Sequence, residues 1–299
     1  MKDGFIKVAA ATPDVRVADC EYNATEIIRM IHEMEEQGAK VMVFPELCIT
    51  AYTCGDLFWQ ENLLEEAKVQ LVRIAEETKE VDALIFVGLP LEYNGKLYNV
   101  AAGLNHGEIL GFVPKTYLPN YNEFYEARYF TSGEHVDGTV HIDREAYKER
   151  YDSDFDDVEF DIEMASFDEF EELEEIDDED FDDEDFDDED FEDEDFDDED
   201  FEDEDFDDLD FDVEDFDDED SEDELSEDEL YEEDIWISPN TIFTCEDMPK
   251  LQIAAEICED LWVPNPPSVA HAFHGANLIV NLSASDEVVG KDSYRKSLV

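Results

Sequence analysis

The chain has 299 residues and a formal net charge of −72, from 90 acidic and 18 basic residues. So negative a chain argues against binding nucleic acid through a phosphate-neutralising patch and against docking on anionic membranes. The charge is unevenly spread, because 56 of the acidic residues and none of the basic ones lie between Asp152 and Asp234. The rest of the sequence is that of a moderately acidic globular protein.

Several other classes of protein are excluded by the sequence. No apolar run reaches the roughly 18 residues that a membrane-spanning helix needs, and the start of the chain lacks the apolar core of a signal peptide. The five cysteines are odd in number and contain no CxxC pair, which favours free thiols in a reducing cytoplasm over disulfides or a zinc site. His271 and His274 lack a third ligand, so we expect no metal site.

Alternating strands and helices are predicted for the first 140 residues. The apolar run "IKVAAATP" predicts a strand, and the three- and four-residue spacing of Ile27, Ile28, Ile31 and Met34 predicts a helix over residues 23–38. "VMVFPEL" (41–47) reads as a buried strand, and residues 56–79 as a second amphipathic helix. "ALIFVGLPLEY" and "LYNVAAGLNHGEILGFVPK" then predict strands with a turn at residues 105–107.

The acidic segment has a phenylalanine every five residues, as in "FDDEDFDDEDFEDED" (181–195). A period of five matches neither the 3.6 of a helix nor the 2 of a strand, so it gathers no buried seam. Dense like charge adds self-repulsion. We therefore predict a disordered low-complexity insertion over residues 141–234, which interrupts one domain made of residues 1–140 and 235–299.

Strand and helix signals return after the insertion. "LQIAAEIC" (251–258) and "NLIVNLSAS" (277–285) predict strands, and "PPSVAHAFHGA" predicts a short helix between them. The chain ends at "YRKSLV", which resembles the opening of a further helix, so we expect a domain that is incomplete at its C-terminus. The alternation predicts an α/β architecture with helices covering sheets.

Three reactive side chains follow predicted apolar strands, where α/β proteins tend to place their sites. A desolvated Glu46 could act as a general base near neutral pH. Lys115 could stabilise an oxyanion and a neighbouring thiolate. Cys258, where a strand turns, could be a nucleophile. Each alone is more often an ordinary strand-end or buried residue.

The blocks that hold these residues resemble the signature blocks of the nitrilase superfamily. They are "FPELCITAY", "KTYLPNYNEFYEARYF" and "ICEDLWVPNPPS" followed by "GANLIVNLSAS". The pieces "CEDLWVPNPPS" and "NLSAS…GK…YR" are similar, more narrowly, to the glutamine-hydrolysing domain of glutamine-dependent NAD synthetases. The resemblance covers about residues 4–140 and 236–299.

That resemblance implies a four-layer αββα sandwich and assigns roles to the residues. Glu46 would be the general base, Lys115 the oxyanion stabiliser, Cys258 the nucleophile that forms a glutamyl thioester, and Glu126 the support of the lysine. The family's glutamine-holding positions match four residues: Tyr121, Glu259, Ser285 and Lys291. In the family an arginine can stand at the position of Lys291.

The resemblance also implies L-glutamine as substrate, no cofactor for its hydrolysis, and a homo-oligomer. ATP and magnesium belong to a synthetase domain that the family carries and that we expect to be absent here. Lys115 and Cys258 are 143 residues apart in sequence. Removing residues 141–234 leaves a spacing that suits the fold, and loop-closure entropy grows only slowly with such an insertion.

Three alternatives stay open at this stage. The chain could be a nitrilase-type amidase for another small amide. The acidic tract could itself be the working part, as a weak calcium buffer or a mimic of nucleic-acid charge, although it lacks the glycine of an EF-hand loop. The chain could also be an inactive fragment that carries an acidic repeat.

Overall fold

The structure of the protein is a computed structural model that describes residues 5–151, residues 232–285 and the single positions 291, 293 and 296. Within them the helices are α1 (Cys20–Glu36), α2 (Glu61–Glu77), α3 (Glu145–Tyr151) and α4 (Pro267–Phe273). The strands are β1 (Val8–Ala10), β2 (Val41–Val43), β3 (Leu84–Tyr93), β4 (Lys96–Asn105), β5 (Glu108–Pro114), β6 (Gly138–Asp143), β7 (Glu232–Ile237), β8 (Ile242–Cys245), β9 (Met248–Ile257) and β10 (Leu278–Leu282). None of these helices is long and apolar enough to cross a membrane.

The first helix shows why the apolar spacing was informative. The Asp19 side chain caps α1 by accepting a hydrogen bond from the backbone N–H of Tyr22 at 3.1 Å. The residues that recur at three and four positions are buried on one face of α1, as an amphipathic helix requires. Gly38, with φ +78°, lies just beyond the end of the helix, where a left-handed residue is favoured.

Seven strands form the larger sheet, in the order β1-β2-β3-β4-β5-β7-β6. Strands β1, β2 and β3 are parallel, β3, β4 and β5 are successively antiparallel, and β7 pairs parallel to β5. Strands β2, β5 and β7 therefore end at the same edge, which we call the carboxyl edge. The opposite edge, where these strands begin, is the amino edge.

The second sheet has three strands in the order β10-β9-β8, with β9 and β10 parallel and β8 antiparallel to β9. It packs face to face on the larger sheet through an apolar core in which Phe86 and Val113 meet Phe243 and Ile253. Helices α1 and α2 cover the outer face of the larger sheet, and α4 packs on β9. The layers are helix, sheet, sheet, helix, which confirms the predicted αββα sandwich.

Some predicted boundaries differ from the structure. Strand β2 stops at Val43 because Pro45 has no N–H to donate and Leu47 takes a left-handed backbone, with φ +52°. The helix predicted over residues 56–79 is a short 3-10 helix (Gly55–Trp59) followed by α2. Strands β7 and β8 were not predicted.

The predicted limits of the insertion, residues 141 and 234, are too wide. Residues 141–143 continue β6, the following residues form α3, and β7 begins at Glu232. These elements are held by ladder pairs such as Asp143 with Glu232 and by apolar burial of Ile142, Tyr147 and Ile235. The rest of the predicted insertion, residues 152–231, lies outside the described residues.

Candidate active site

Glu46 lies in the turn that follows β2 at the carboxyl edge, and it is 1% exposed. Its Oε1 accepts hydrogen bonds from Asn99 Nδ2 and Lys115 Nζ, each at 2.6 Å, and its Oε2 accepts from the backbone N–H of Ala284 at 3.2 Å. The two carboxylate oxygens therefore have different environments. Oε1 is fixed by two donors, whereas Oε2 points toward the segment that follows β10.

A glycine lets this turn lie directly on β3. A Cβ atom on Gly88 would be 2.4 Å from the backbone nitrogen of Leu47 and 2.7 Å from the carbonyl oxygen of Pro45. Both contacts are with backbone, which cannot rotate away as a side chain could. Any larger residue at position 88 would therefore displace the backbone on either side of Glu46.

Lys115 follows β5 immediately and is completely enclosed, with a side-chain exposure of 0%. Its Nζ lies 2.6 Å from Glu46 Oε1 and 2.7 Å from Glu126 Oε1. Burial alone would lower the pKa of Lys115, but the charges of Glu46 and Glu126 outweigh burial and raise it above its usual value. The lysine is thus a permanent ammonium held between two carboxyl groups.

Glu126 lies in a short 3-10 helix (Glu126–Arg128) and is almost fully buried. Its Oε1 accepts hydrogen bonds from both Lys115 Nζ and Tyr52 Oη at 2.7 Å, while its Oε2 has no hydrogen-bond partner among the described residues. Burial, reinforced by the charge of Glu46, raises the pKa of Glu126 to about 7. The predicted support of the lysine is therefore in direct contact with it.

Cys258 is the first residue of a 3-10 helix (Cys258–Leu261) that directly follows β9, and it is 5% exposed. Its φ of +42° is a left-handed conformation, which non-glycine residues seldom adopt. The Ser283 hydroxyl donates to its Sγ at 3.4 Å. A strained backbone at a strand end thus carries the thiol, as the sequence predicted for a nucleophile.

The Cys258 thiol is protonated in the resting site. Burial and the charge of Glu46 raise its pKa to about 12, and the ammonium of Lys115 acts in the opposite direction. Such a thiol becomes a nucleophile only if a base takes its proton as it attacks. Glu46 is the carboxylate that lies at the same place.

Asp260 joins the two segments that carry Lys115 and Cys258. Its Oδ1 accepts from the backbone N–H groups of Thr116 at 3.1 Å and Tyr117 at 2.7 Å, and its Oδ2 accepts from that of Ile257 at 3.0 Å. It is 1% exposed. Burial raises the pKa of Asp260 to about 7, while the hydrogen bonds from Ile257 and Tyr117 act to lower it.

The four predicted glutamine-holding residues form two pairs. The Tyr121 hydroxyl contacts both carboxylate oxygens of Glu259, at 3.0 and 2.9 Å, and Glu259 directly follows Cys258. Lys291 Nζ donates to Ser285 Oγ. The Ser285 backbone N–H in turn donates to the same Ser283 hydroxyl that contacts the Cys258 sulfur. One pair is acidic and the other basic.

Sequence reasoning missed three buried polar partners of this site: Tyr52, Asn99 and Asp260. Tyr52 lies seven positions after the "PEL" of the first block, and Asn99 is in the middle of the apolar strand β4. An asparagine inside such a run is a buried polar group that needs partners, and this is the signal that could have identified it. Asp260 was quoted within "CEDLW" without a role.

Metal binding is not suggested by the geometry. In residues 5–151 and 232–285 and the three described positions beyond, no group of three or more histidine, cysteine or acidic side chains could hold an ion. His271 Nε2 lies 2.9 Å from the carbonyl oxygen of Pro239, so this ring is used within the fold. All five cysteines are free thiols.

Comparisons with known proteins point to the same family. Residues 7–145 match the model of the carbon-nitrogen hydrolase family. The glutamine-dependent NAD(+) synthetase of Mycobacterium tuberculosis (strain ATCC 25618 / H37Rv) is 26% identical over 295 residues, which are 99% of this chain and 30% of that protein. That of Aquifex aeolicus is 36% identical over 130 residues, 44% of this chain and 23% of that protein.

A solved structure shares the fold. The crystal structure of a glutamine-dependent NAD(+) synthetase from Cytophaga hutchinsonii has a TM-score of 0.60 and 21% identity, and the match covers 98% of this chain and 33% of that chain. This chain therefore spans only about 30% of the length of the first curated relatives it matches. Through its hydrolase domain the chain belongs to the carbon–nitrogen hydrolase (nitrilase) superfamily, and its curated relatives there are glutamine-dependent NAD(+) synthetases.

Proposed function

We propose that this chain hydrolyses the side-chain amide of L-glutamine to L-glutamate and ammonia, through a thioester on Cys258. The observation that carries the proposal is the buried ammonium of Lys115, which lies within 2.7 Å of both Glu46 and Glu126, beside a cysteine in a strained turn. A buried ion pair of this kind is not a device for stability alone. It supports a role in chemistry on a neutral, polar substrate.

In the first half of the proposed reaction, Glu46 takes the proton of the Cys258 thiol while the sulfur attacks the amide carbonyl carbon of glutamine. The carbonyl electrons move onto oxygen, and the ammonium of Lys115 stabilises the oxyanion. The tetrahedral intermediate then collapses and the carbon–nitrogen bond breaks. The leaving nitrogen receives the proton from Glu46 and departs as ammonia, which leaves a glutamyl thioester.

In the second half, water adds to the thioester carbonyl as Glu46 removes one of its protons. The new oxyanion again meets Lys115, the carbon–sulfur bond breaks, and the sulfur regains the proton from Glu46. Glutamate leaves and Cys258 returns to the thiol. Glu46 Oε2 is the oxygen we assign to proton transfer, because Oε1 already accepts from Asn99 and Lys115.

Glutamine is the favoured substrate because the two residue pairs beside Cys258 have opposite charge. The α-ammonium of a free amino acid would be held by Glu259 with Tyr121, and its α-carboxylate by Lys291 with Ser285. A simple aliphatic amide carries neither group and would leave both pairs without a counter-charge. The names of the curated relatives, glutamine-dependent NAD(+) synthetases, support the same choice.

The product ammonia is proposed to serve NAD synthesis. That step would use ATP and magnesium on a synthetase domain outside these 299 residues, and the hydrolysis of glutamine itself would use no cofactor. The five free thiols suit a reducing compartment, so we place the protein in the cytoplasm. A homo-oligomer remains part of the proposal.

The decisive experiment is glutamate release by the purified chain and by Cys258→Ala. We expect the alanine variant to lose at least about 10⁴-fold in rate, as enzymes do without their nucleophile. Cys245→Ala, in the β8–β9 turn, is the matched control and should keep the parent rate. Full activity in Cys258→Ala would refute the triad, and a preference for simple ω-amides or N-carbamoyl compounds over glutamine would refute the substrate.

A further inference from the structure

The third residue of the "CEDLW" block has a place in the site that its motif neighbours do not explain. Asp260 receives two backbone N–H groups from residues 116 and 117, directly after Lys115, and one from Ile257, directly before Cys258. No other side chain in the described part of the chain is shown to bond to the backbone on both sides in this way. One carboxylate therefore links the ends of β5 and β9, which belong to different sheets.

We propose that Asp260 is a positioning residue that sets the separation of the Lys115 ammonium and the Cys258 thiol, and thereby the rate of thioester formation. The inference rests on the proposed function, since it concerns the same nucleophile. Asp260 touches neither the substrate nor the reacting atoms. It acts by holding the backbone from which both reacting groups project.

The chemistry of the carboxylate explains why this residue type is needed. Both of its oxygens are acceptors, so it can satisfy N–H donors that approach from two directions at once. An asparagine can accept on one side only, and its NH₂ group would face a backbone N–H on the other. Because interiors are close-packed and the carboxylate is fully buried, the mismatch must be relieved by moving one of the two segments.

Glu256 supplies the matched comparison. It is a carboxylate on β9 two residues before Cys258, is 2% exposed, and accepts from the Ser268 backbone N–H at 3.2 Å and from Asn281 Nδ2 at 3.4 Å. Its partners belong to α4 and β10, and it has no contact with the segment of Lys115. Glu256→Gln should therefore disturb the fold near Cys258 without changing the spacing of the two reacting groups.

The experiment compares Asp260→Asn and Glu256→Gln with the parent chain. Iodoacetamide labelling of Cys258, located by peptide mass spectrometry, counts the competent sites, and glutamate release is expressed per site. We expect Asp260→Asn to lose roughly 30- to 100-fold in kcat with KM for glutamine within about threefold, because a displacement of about 1 Å has that effect. Glu256→Gln should stay within about threefold in kcat.

Asp260→Glu guards against a variant that fails to fold. It keeps the negative charge but moves the carboxylate by one methylene, so kcat should fall by about tenfold or more. The proposal is overturned if either folded Asp260 variant keeps kcat per site within threefold, or if Glu256→Gln loses as much. It is also overturned if neither Asp260 variant folds while Glu256→Gln does, since Asp260 is then a folding residue.

A second readout separates this proposal from the assignment of glutamine. If the parent chain releases no glutamate, the substrate proposal fails, and the pH profile of Cys258 alkylation then tests Asp260 alone. Burial and the charges of Glu46 and Glu126 act to raise the thiol pKa, and Lys115 acts to lower it. Asp260→Asn should move the profile to higher pH as Lys115 becomes less well placed, and an unchanged profile would refute the positioning role.

Discussion

The carboxyl edge and the amino edge of the larger sheet treat charge in opposite ways. At the carboxyl edge, Glu46, Lys115 and Glu126 are all at most 3% exposed and satisfy one another within 2.7 Å. At the amino edge, Lys40 before β2 and Asp82 before β3 also form an ion pair, but their side chains are 42% and 76% exposed. The same chemistry is solvated at one edge and sealed at the other.

This difference teaches where the protein can tolerate change. A buried charge without its partner is very costly, whereas an exposed pair contributes little. The described strand β7 begins at the amino edge with Glu232 and runs six residues toward the carboxyl edge, a distance of about 20 Å. The segment preceding β7 therefore joins the sandwich at the solvated edge.

The strongest test of the comparison replaces one lysine at each edge. Lys115→Met leaves two carboxyl groups buried without a counter-charge and should lower the free energy of unfolding by about 3–5 kcal/mol, with loss of hydrolysis. Lys40→Met should cost about 1 kcal/mol or less. Urea unfolding at neutral pH measures both. Similar losses in the two variants would mean that the two edges do not differ in this respect.

A second test sharpens the comparison through pH. Because the folded-state pKa of Glu126 is raised to about 7 from an ordinary value of 4.5, the folded chain keeps a proton that the unfolded chain has already released. Its contribution to stability is therefore present below about pH 4.5 and is lost as pH rises to about 7. The loss should be on the order of 2–3 kcal/mol.

Glu126→Gln removes this titration, so its free energy of unfolding should gain on that of the parent between these pH values. Glu92→Gln is the control, because Glu92 is exposed at the end of β3 and solvent screens its charge. The measurement is urea unfolding of the three proteins across the pH range. Parallel curves for Glu126→Gln and the parent would contradict the assignment.

The smallest effect is expected from the acidic segment itself. Replacing residues 152–231 with a glycine–serine linker should change glutamate release per site by less than about threefold at physiological salt. Strand β7 holds one junction about 20 Å from the carboxyl edge, screening acts over about 8 Å, and free glutamine has no net charge. A tenfold change in kcat would show that the segment acts on the site.

Sequence reasoning was strongest where a residue type and its strand position both carried information. Periodic apolar spacing identified α1, and the signature blocks identified the family. Glu46, Lys115 and Cys258 were chosen from different parts of the chain, and the structure brings their segments together. Their catalytic roles stay predictions, as do those of the four glutamine-holding residues.

The features that sequence reasoning missed depend on distant partners. Asp260 and Asn99 are ordinary residues until the fold brings backbone N–H groups or Glu46 to them. Strands β7 and β8 were missed because they are short and border the acidic segment, and because Trp236 on β7 is half exposed and weakens the apolar pattern. The limits of the insertion failed for the same reason.

The left-handed backbone of Cys258 sets stability against function at a single residue. With φ at +42°, any side chain larger than hydrogen carries a strain of about 1–2 kcal/mol, which glycine would relieve. Selection for a more stable fold alone would therefore favour glycine at position 258, and the nucleophile would be lost. A chain that keeps cysteine there retains a marginally less comfortable backbone in exchange for its chemistry, so thermostability screens of this protein should not be run without an activity readout.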